Sequence, residues 1–154
     1  MTAPQSQTTP EQNKQMMVRW FEEVWNQGRR ETIHALFAEN GVLHDGLNTF
    51  SGPDDFCRFY DWFRTQFTDF QATPIQLLAA DDLACLHWSI ALRHIATGKR
   101  VELTGTSLVR FLNGQLIEGW QNWDAARLAA EVPEFSDVAP QWQNSLRKAS
   151  ATSA

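Results

Sequence analysis

Four histidines, two cysteines and a scattering of carboxylates are the groups in this 154-residue chain that can move a proton or attack a carbon. Asp45 stands out among them. It closes Val42-Leu43-His44-Asp45, a run too short for a helix before Gly46, so the run reads as a strand and alternation puts Asp45 on the face of Leu43. If that face is the apolar one, burial disfavours the charged carboxylate and lifts its pKa toward the range useful for taking a proton from a carbon next to a carbonyl. The competing role is local, because an Asp just before a glycine also caps a turn. His87 shares parity with Cys85 and Ser89, while Leu86, Trp88 and Ile90 hold the other face. Facing inward it would serve as acid or base; facing outward it is a surface or interface histidine. His44 adjoins Asp45, His94 and Arg93 at a strand end are expected to face solvent, and His34 lies among polar neighbours on a short helix. Asp124 can project from a strand end, but ahead of Ala125-Ala126-Arg127-Leu128 it reads as a helix N-cap.

Several chemistries are excluded by what the chain lacks. Cys57 and Cys85 form no CxxC and have no histidine at metal spacing, so neither a disulfide framework nor a zinc site is expected, and a reduced, cytoplasmic setting fits. There is no Gly-rich phosphate loop and no serine nucleophile elbow, which makes action without a cofactor or metal the default. A formal charge of -5 with scattered basic residues disfavours nucleic acid as a partner. No signal-peptide pattern opens the chain and no stretch is long and apolar enough for a membrane span. Seven Trp and ten Phe against one Tyr give rings enough for a core, an apolar ligand cavity, or both.

The elements that must position these groups can be read in order. Residues 1–8 are a polar lead-in expected to be disordered, 9–132 form one domain, and 133–154, with Pro133, Pro140 and a Ser/Ala/Thr end, read as a loose tail holding at most a weak helix from Gln141 to Ala149. Thr9-Pro10-Glu11-Gln12 is a capping box with proline at the first helical position. Met17, Trp20, Phe21, Val24 and Trp25 follow on one face until Asn26-Gln27-Gly28 stops the helix. A short helix from Arg30 to Ala38 comes next, then the strand ending at Asp45. A third helix opens at Ser51-Gly52-Pro53-Asp54-Asp55, with Phe56, Phe59, Tyr60, Phe63 and Phe67 on one side. From Phe70 the period turns to two: Gln71–Leu78, Leu83–Ile95, Val101–Leu112 and Gln115–Trp123 are strands of an antiparallel meander, with Asn113-Gly114 as a two-residue hairpin turn. A curved sheet must then wrap against three helices, its concave face filled by side chains or left as a pocket.

Three stretches carry a resemblance: Val18-Arg19-Trp20-Phe21-Glu22-Glu23-Val24-Trp25-Asn26-Gln27-Gly28; Ala35-Leu36-Phe37-Ala38-Glu39-Asn40 leading to His44-Asp45-Gly46; and Arg110-Phe111-Leu112-Asn113-Gly114-Gln115-Leu116-Ile117-Glu118 closing with Trp123-Asp124. In order and spacing they resemble the nuclear transport factor 2-like superfamily, nearest in texture to its SnoaL-like branch of polyketide cyclases and their relatives. The resemblance implies an α+β fold of the cystatin-like kind: a cone-shaped curved antiparallel sheet wrapped by three N-terminal helices around a central pocket. It also implies a small apolar carbonyl ligand of polyketide or terpenoid type and a homodimer formed through the sheet.

Residue by residue, the resemblance is partial. Asp45 matches the position where the steroid isomerases of this superfamily hold their proton-shuttling Asp. Their oxyanion-stabilising Tyr falls on Phe21 and their protonated Asp donor on Ser107, so steroid isomerisation is not expected. The cyclases' acid/base Asp and His fall on Gln121 and Ser107, and an amide is no general base. What remains is Asp45 as the catalytic group, Gln121 and Ser107 orienting a carbonyl or hydroxyl, His87 as a second acid or base if it faces in, and Phe21, Trp25, His44, Phe63 and Trp123 against the ligand. The implied activity is a cofactor-independent cyclase, isomerase or hydratase; the alternative is a binding protein that kept the pocket and lost the acid/base pair.

Overall fold

The computed structural model describes residues 7–46 and 48–133; the first part of the expected lead-in, and the tail from 134 where a weak helix was expected, lie outside them. Thr9 caps α1 (Pro10–Arg19) as a full capping box, its hydroxyl accepting from the Gln12 amide and the Gln12 side chain accepting from the Thr9 amide. The helix then continues as a π-helical segment, Trp20–Asn26, before Gly28 takes φ +68°. Spacing alone could not reveal that wider turn, which rotates Phe21, Val24 and Trp25 together onto the buried side. The Asn26 amide locks its end to the sheet, donating to the Ala72 carbonyl at 3.0 Å and accepting from the Ala72 amide at 2.6 Å.

The short helix expected to Ala38 is α2 (Glu31–Leu36), and the chain extends at once into β1 (Phe37–Asp45), which begins five residues earlier than its alternation suggests. Phe37 is fully buried and pairs with Leu116, and that gain draws Phe37-Ala38 out of the expected helix and into the sheet. A further strand, β2 (Asn48–Ser51), was not expected; it pairs antiparallel with β1 and delivers the chain into α3 (Gly52–Gln66). The meander follows as β3 (Phe67–Ala80), β4 (Leu83–His94), β5 (Arg100–Leu112) and β6 (Gln115–Trp123), the last three near their expected places; β3 begins four residues early, so Phe67, expected on the third helix, is a strand residue paired with His94. Asn113 and Gly114 both have positive φ, as the tight hairpin turn requires.

The sheet order is β2-β1-β6-β5-β4-β3. All neighbours are antiparallel except β1 and β6, which run parallel and set Leu43 beside Gly119 and Asp45 beside Gln121. Helix α3 and the π segment fill the concave side with rings: Phe56 lies 5.2 Å from Trp20 and 5.5 Å from Phe50, and Trp25 lies 5.4 Å from Tyr60 and 5.5 Å from Phe70. Asp124 caps α4 (Ala125–Glu131), as expected, by accepting from the Arg127 amide, and Leu128 and Val132 tuck the helix in. Among the described residues no helix is long and apolar enough to cross a membrane.

Candidate functional site

Alternation decides which side chains the concave face receives. On β4, Leu86, Trp88, Ile90 and Leu92 are buried, so His87 is carried to the outer face, where it borders an open depression with Thr106, Asn122 and Asp124. The inward, acid/base reading of His87 is thereby overturned. The same rule corrects His44: Leu43 and Asp45 point in, so His44 points out, stacked on Trp120 at 5.9 Å with its Nε2 3.1 Å from Glu118. It cannot touch a ligand in the cavity. His94 is corrected the other way. Parity with Leu92 buries it to 3 % exposure, its ring near Phe67 and its Nδ1 2.8 Å from the Thr97 hydroxyl. His34 bridges Asp54 and the Cys57 sulfur, between α2 and α3.

Asp45, Ser107, Gln121 and Trp123 do converge. Asp45 is 7 % exposed, and its Oδ1 accepts from the Trp123 indole N–H at 3.0 Å. Its Oδ2 is met by the Gln121 amide nitrogen at 3.5 Å, the outer limit of a hydrogen bond. Burial pushes the carboxyl up from 3.8 to about 6, against the pull of those two donors. Among the described residues both hydrogen bonds to the Asp45 carboxyl come from the facing strand β6.

The orientation of the Gln121 amide is fixed from both ends. The Trp88 indole can only donate, and it donates to the Ser107 hydroxyl oxygen at 3.0 Å. Ser107 therefore turns its proton to Gln121 Oε1 at 3.2 Å, and the amide nitrogen is left facing Asp45. Trp88 is the member that sequence reasoning missed, counted only as an apolar wall. Its signal was present across the ladder: Trp88 pairs with Gly105, where a Cβ would overlap the indole and approach the Asn122 carbonyl to 2.8 Å. A glycine inside a strand often marks such a close approach. We expect Trp88→Phe, which keeps the ring against Phe21 but removes the donor, to lower stability by about 1 kcal/mol. In a double-mutant cycle Ser107→Ala should then add little, because both changes break one chain of hydrogen bonds; additive losses would show that the chain does not act as a unit.

Two small apolar cavities flank this network. One, about 30 Å3, is lined by Met16, Met17, Leu43, Leu116 and Ser107 among others; the second, about 40 Å3, by Trp25, Phe59, Phe63, Trp88 and Trp123 among others. Phe21 and Gln121 border both. Phe21, Trp25, Phe63, Ser107 and Trp123 thus each line one void or both. Asp45 lines neither void and sits behind Gln121 and Trp123. Among the described residues no three His, Cys, Asp or Glu side chains are grouped to hold a metal.

The model of the SnoaL-like domain matches residues 17–119. The chain belongs to the SnoaL-like family. Solved structures agree on the fold of this SnoaL-like protein. A protein from Jannaschia sp. CCS1, named as a candidate SnoaL-like polyketide cyclase, superposes with a TM-score of 0.73 at 16% identity, over 82% of this chain and 96% of that one. IdmH from Streptomyces antibioticus, named as a candidate polyketide cyclase, gives 0.70 at 20%, over 82% and 99%. A protein of ketosteroid isomerase-like fold from Catenulispora acidiphila, solved with trimethylamine, gives 0.69 at 15%, over 80% and 93%. No curated protein matches the chain.

Proposed function

We propose that this SnoaL-like protein is a cofactor-independent enzyme that moves protons on a small apolar carbonyl compound, as a cyclase, isomerase or hydratase. The observation that carries the reading is a nearly buried carboxyl group with a pKa of about 6, set beside a fixed amide at the edge of an aromatic cavity. The two oxygens of Asp45 are not equivalent. Oδ1 is tied to Trp123, whereas the contact to Oδ2 is long and easily displaced, so Oδ2 is the oxygen with lone pairs for a substrate proton.

In this reading a ligand carbonyl accepts the second N–H of Gln121, and Asp45 Oδ2 takes the proton from the adjacent carbon. The C–H bond breaks, an O–H bond forms on Asp45, and the electron pair passes to the carbonyl oxygen as an enolate held by the amide. Protonated Asp45 then returns the proton to a different carbon, or to a leaving hydroxyl. Since the base must be ionised, kcat/KM for a turned-over ketone should rise about tenfold per pH unit below about 6 and level off above it. A profile flat from pH 4.5 to 8 would sink the reading.

The alternative, a binding protein without catalysis, is favoured by one specific observation: Asp45 lines neither cavity. It predicts tight ketone binding unaffected by the protonation of Asp45, with no product formed. For assembly, the register places Trp120, Leu108, Cys85 and Leu78 in one row across the outer face of β6, β5, β4 and β3, with Leu78 71 % exposed. That row supports a homodimer packed face to face through the sheet. Sedimentation should give twice the 17.6 kDa chain mass, falling to one chain for Leu108→Glu; a monomeric wild type would refute it.

A further inference from the structure

The two voids differ in what surrounds them. One is bounded by rings from the π segment, α3, β4 and β6, with Ile90, Leu92 and Leu103 as its remaining wall. The other has more sulfur and branched aliphatic groups in its wall, Met16, Met17, Leu36, Leu43, Val109 and Leu116, although Trp20 and Phe111 also border it. By register they lie on opposite sides of Gln121 along the cone, the first toward Leu103, the second toward the β5–β6 hairpin. The Phe21 ring, 5.6 Å from Trp88, and the Gln121 amide form the partition.

We infer that the ligand is an aryl alkyl ketone in shape: a flat aromatic ring in the lobe of Trp25, Phe59, Phe63 and Trp88, an unbranched saturated chain in the methionine lobe, and the carbonyl between them at Gln121. This rests on the carbonyl reading above and adds which part of the substrate goes where. Aromatic walls favour a ring through offset and edge contacts. As they stand, the voids of about 30 and 40 Å3 hold about two or three waters each, so neither the chain nor the ring enters without movement of the lining side chains. A chain of several methylenes enters only as the flexible Met16 and Met17 side chains repack, which thioethers do at little cost. Phe21 is then the specificity-determining residue, since its ring sets the width of the passage from one lobe to the other.

The test is calorimetric binding of acetophenone, butyrophenone, hexanophenone and octanophenone, with cyclohexyl methyl ketone and 2-octanone as comparisons, to the full chain at pH 7.5. Affinity should rise about fourfold per added methylene until the methionine lobe is full, and cyclohexyl methyl ketone should bind about tenfold more weakly than acetophenone. Phe21→Ala should extend the rise to longer or branched chains, and Met17→Phe should cut it short while acetophenone still binds. An affinity independent of chain length in the wild-type protein overturns the inference without any variant having to fold, as does a slope unchanged by Phe21→Ala and Met17→Phe. Binding of every ketone without a chain-length trend defeats the two-lobed ligand alone. Failure of all of them to bind defeats the carbonyl reading as well.

Discussion

Replacing Asp45 with Asn should lower turnover about a thousandfold and, at the same time, make the protein more stable at pH 7.5. The first effect follows from loss of the base, which ordinarily contributes between a hundredfold and ten thousandfold. The second follows from linkage. The folded-state pKa, about 6, lies above the ordinary 3.8, so between those values the folded state binds more protons than the unfolded one. Stability therefore falls as pH rises through that window, and above it the ionised carboxylate costs about 3 kcal/mol. Asn carries no such cost. It does set its own NH2 against that of Gln121, so one hydrogen bond of the Ser107–Gln121 chain is lost and the net gain is about 2 kcal/mol, or roughly 5 °C in Tm. At pH 4 the folded-state carboxyl is protonated and the unfolded one nearly half so, which removes most of that cost and leaves the lost hydrogen bond, so the gain should give way to a loss of under about 1 kcal/mol. Thermal melts of both proteins at pH 4 and 7.5 decide it: a variant less stable than wild type at pH 7.5 would show that Asp45 is held as a structural group, whereas the opposed signs mark a site kept at the expense of stability.

Much of this arrangement was legible in the chain, for reasons that differ by element. The capping box at Thr9, the stop at Gly28 and the Asn113-Gly114 turn are local chemistry and need no partner to be read. The inward face of β1 was legible because Leu43 and Asp45 share parity. The pairing of Asp45 with Gln121 was not, because a parallel contact between strands 76 residues apart leaves no local mark. Resemblance, not spacing, pointed to Gln121 and Ser107. His94 misled by its place: its parity with Ile90 and Leu92 points inward, and the expectation of solvent came from its position at the strand end. His87 and His44 followed the periodicity of their strands outward, so their chemistry was never available to the cavity. The π segment was invisible because Met17, Trp20, Phe21, Val24 and Trp25 satisfy a helical period whether the turn closes over four residues or five.

The largest loss of stability should come from Phe56→Ala, and the reason connects the core to the site. Phe56 is 2 % exposed on α3, and its ring meets Trp20, Trp25, Phe37, Phe50 and Phe59 at 5.2 to 6.4 Å. These rings come from the π segment, β1, β2 and α3, so truncation leaves a void with a wall from each. Five rings on short, separately tethered elements cannot all move in to fill it, which puts the cost near 3–5 kcal/mol, or roughly 10 °C in Tm. Phe56→Leu should recover about half, because it restores volume but not the edge contacts. The loss should reach the site as well. Phe37 and Phe50 anchor β1 and β2, and Asp45 ends β1 opposite Gln121, so a loosened hairpin lengthens a contact that is already 3.5 Å. Hydrogen exchange of the β1 amides and the pH midpoint of activity should therefore shift in Phe56→Ala, toward faster exchange and toward the ordinary carboxylate value as water reaches Asp45. Unchanged β1 exchange alongside the full stability loss would show that the ring cluster supports the fold and that the site is held by the sheet alone.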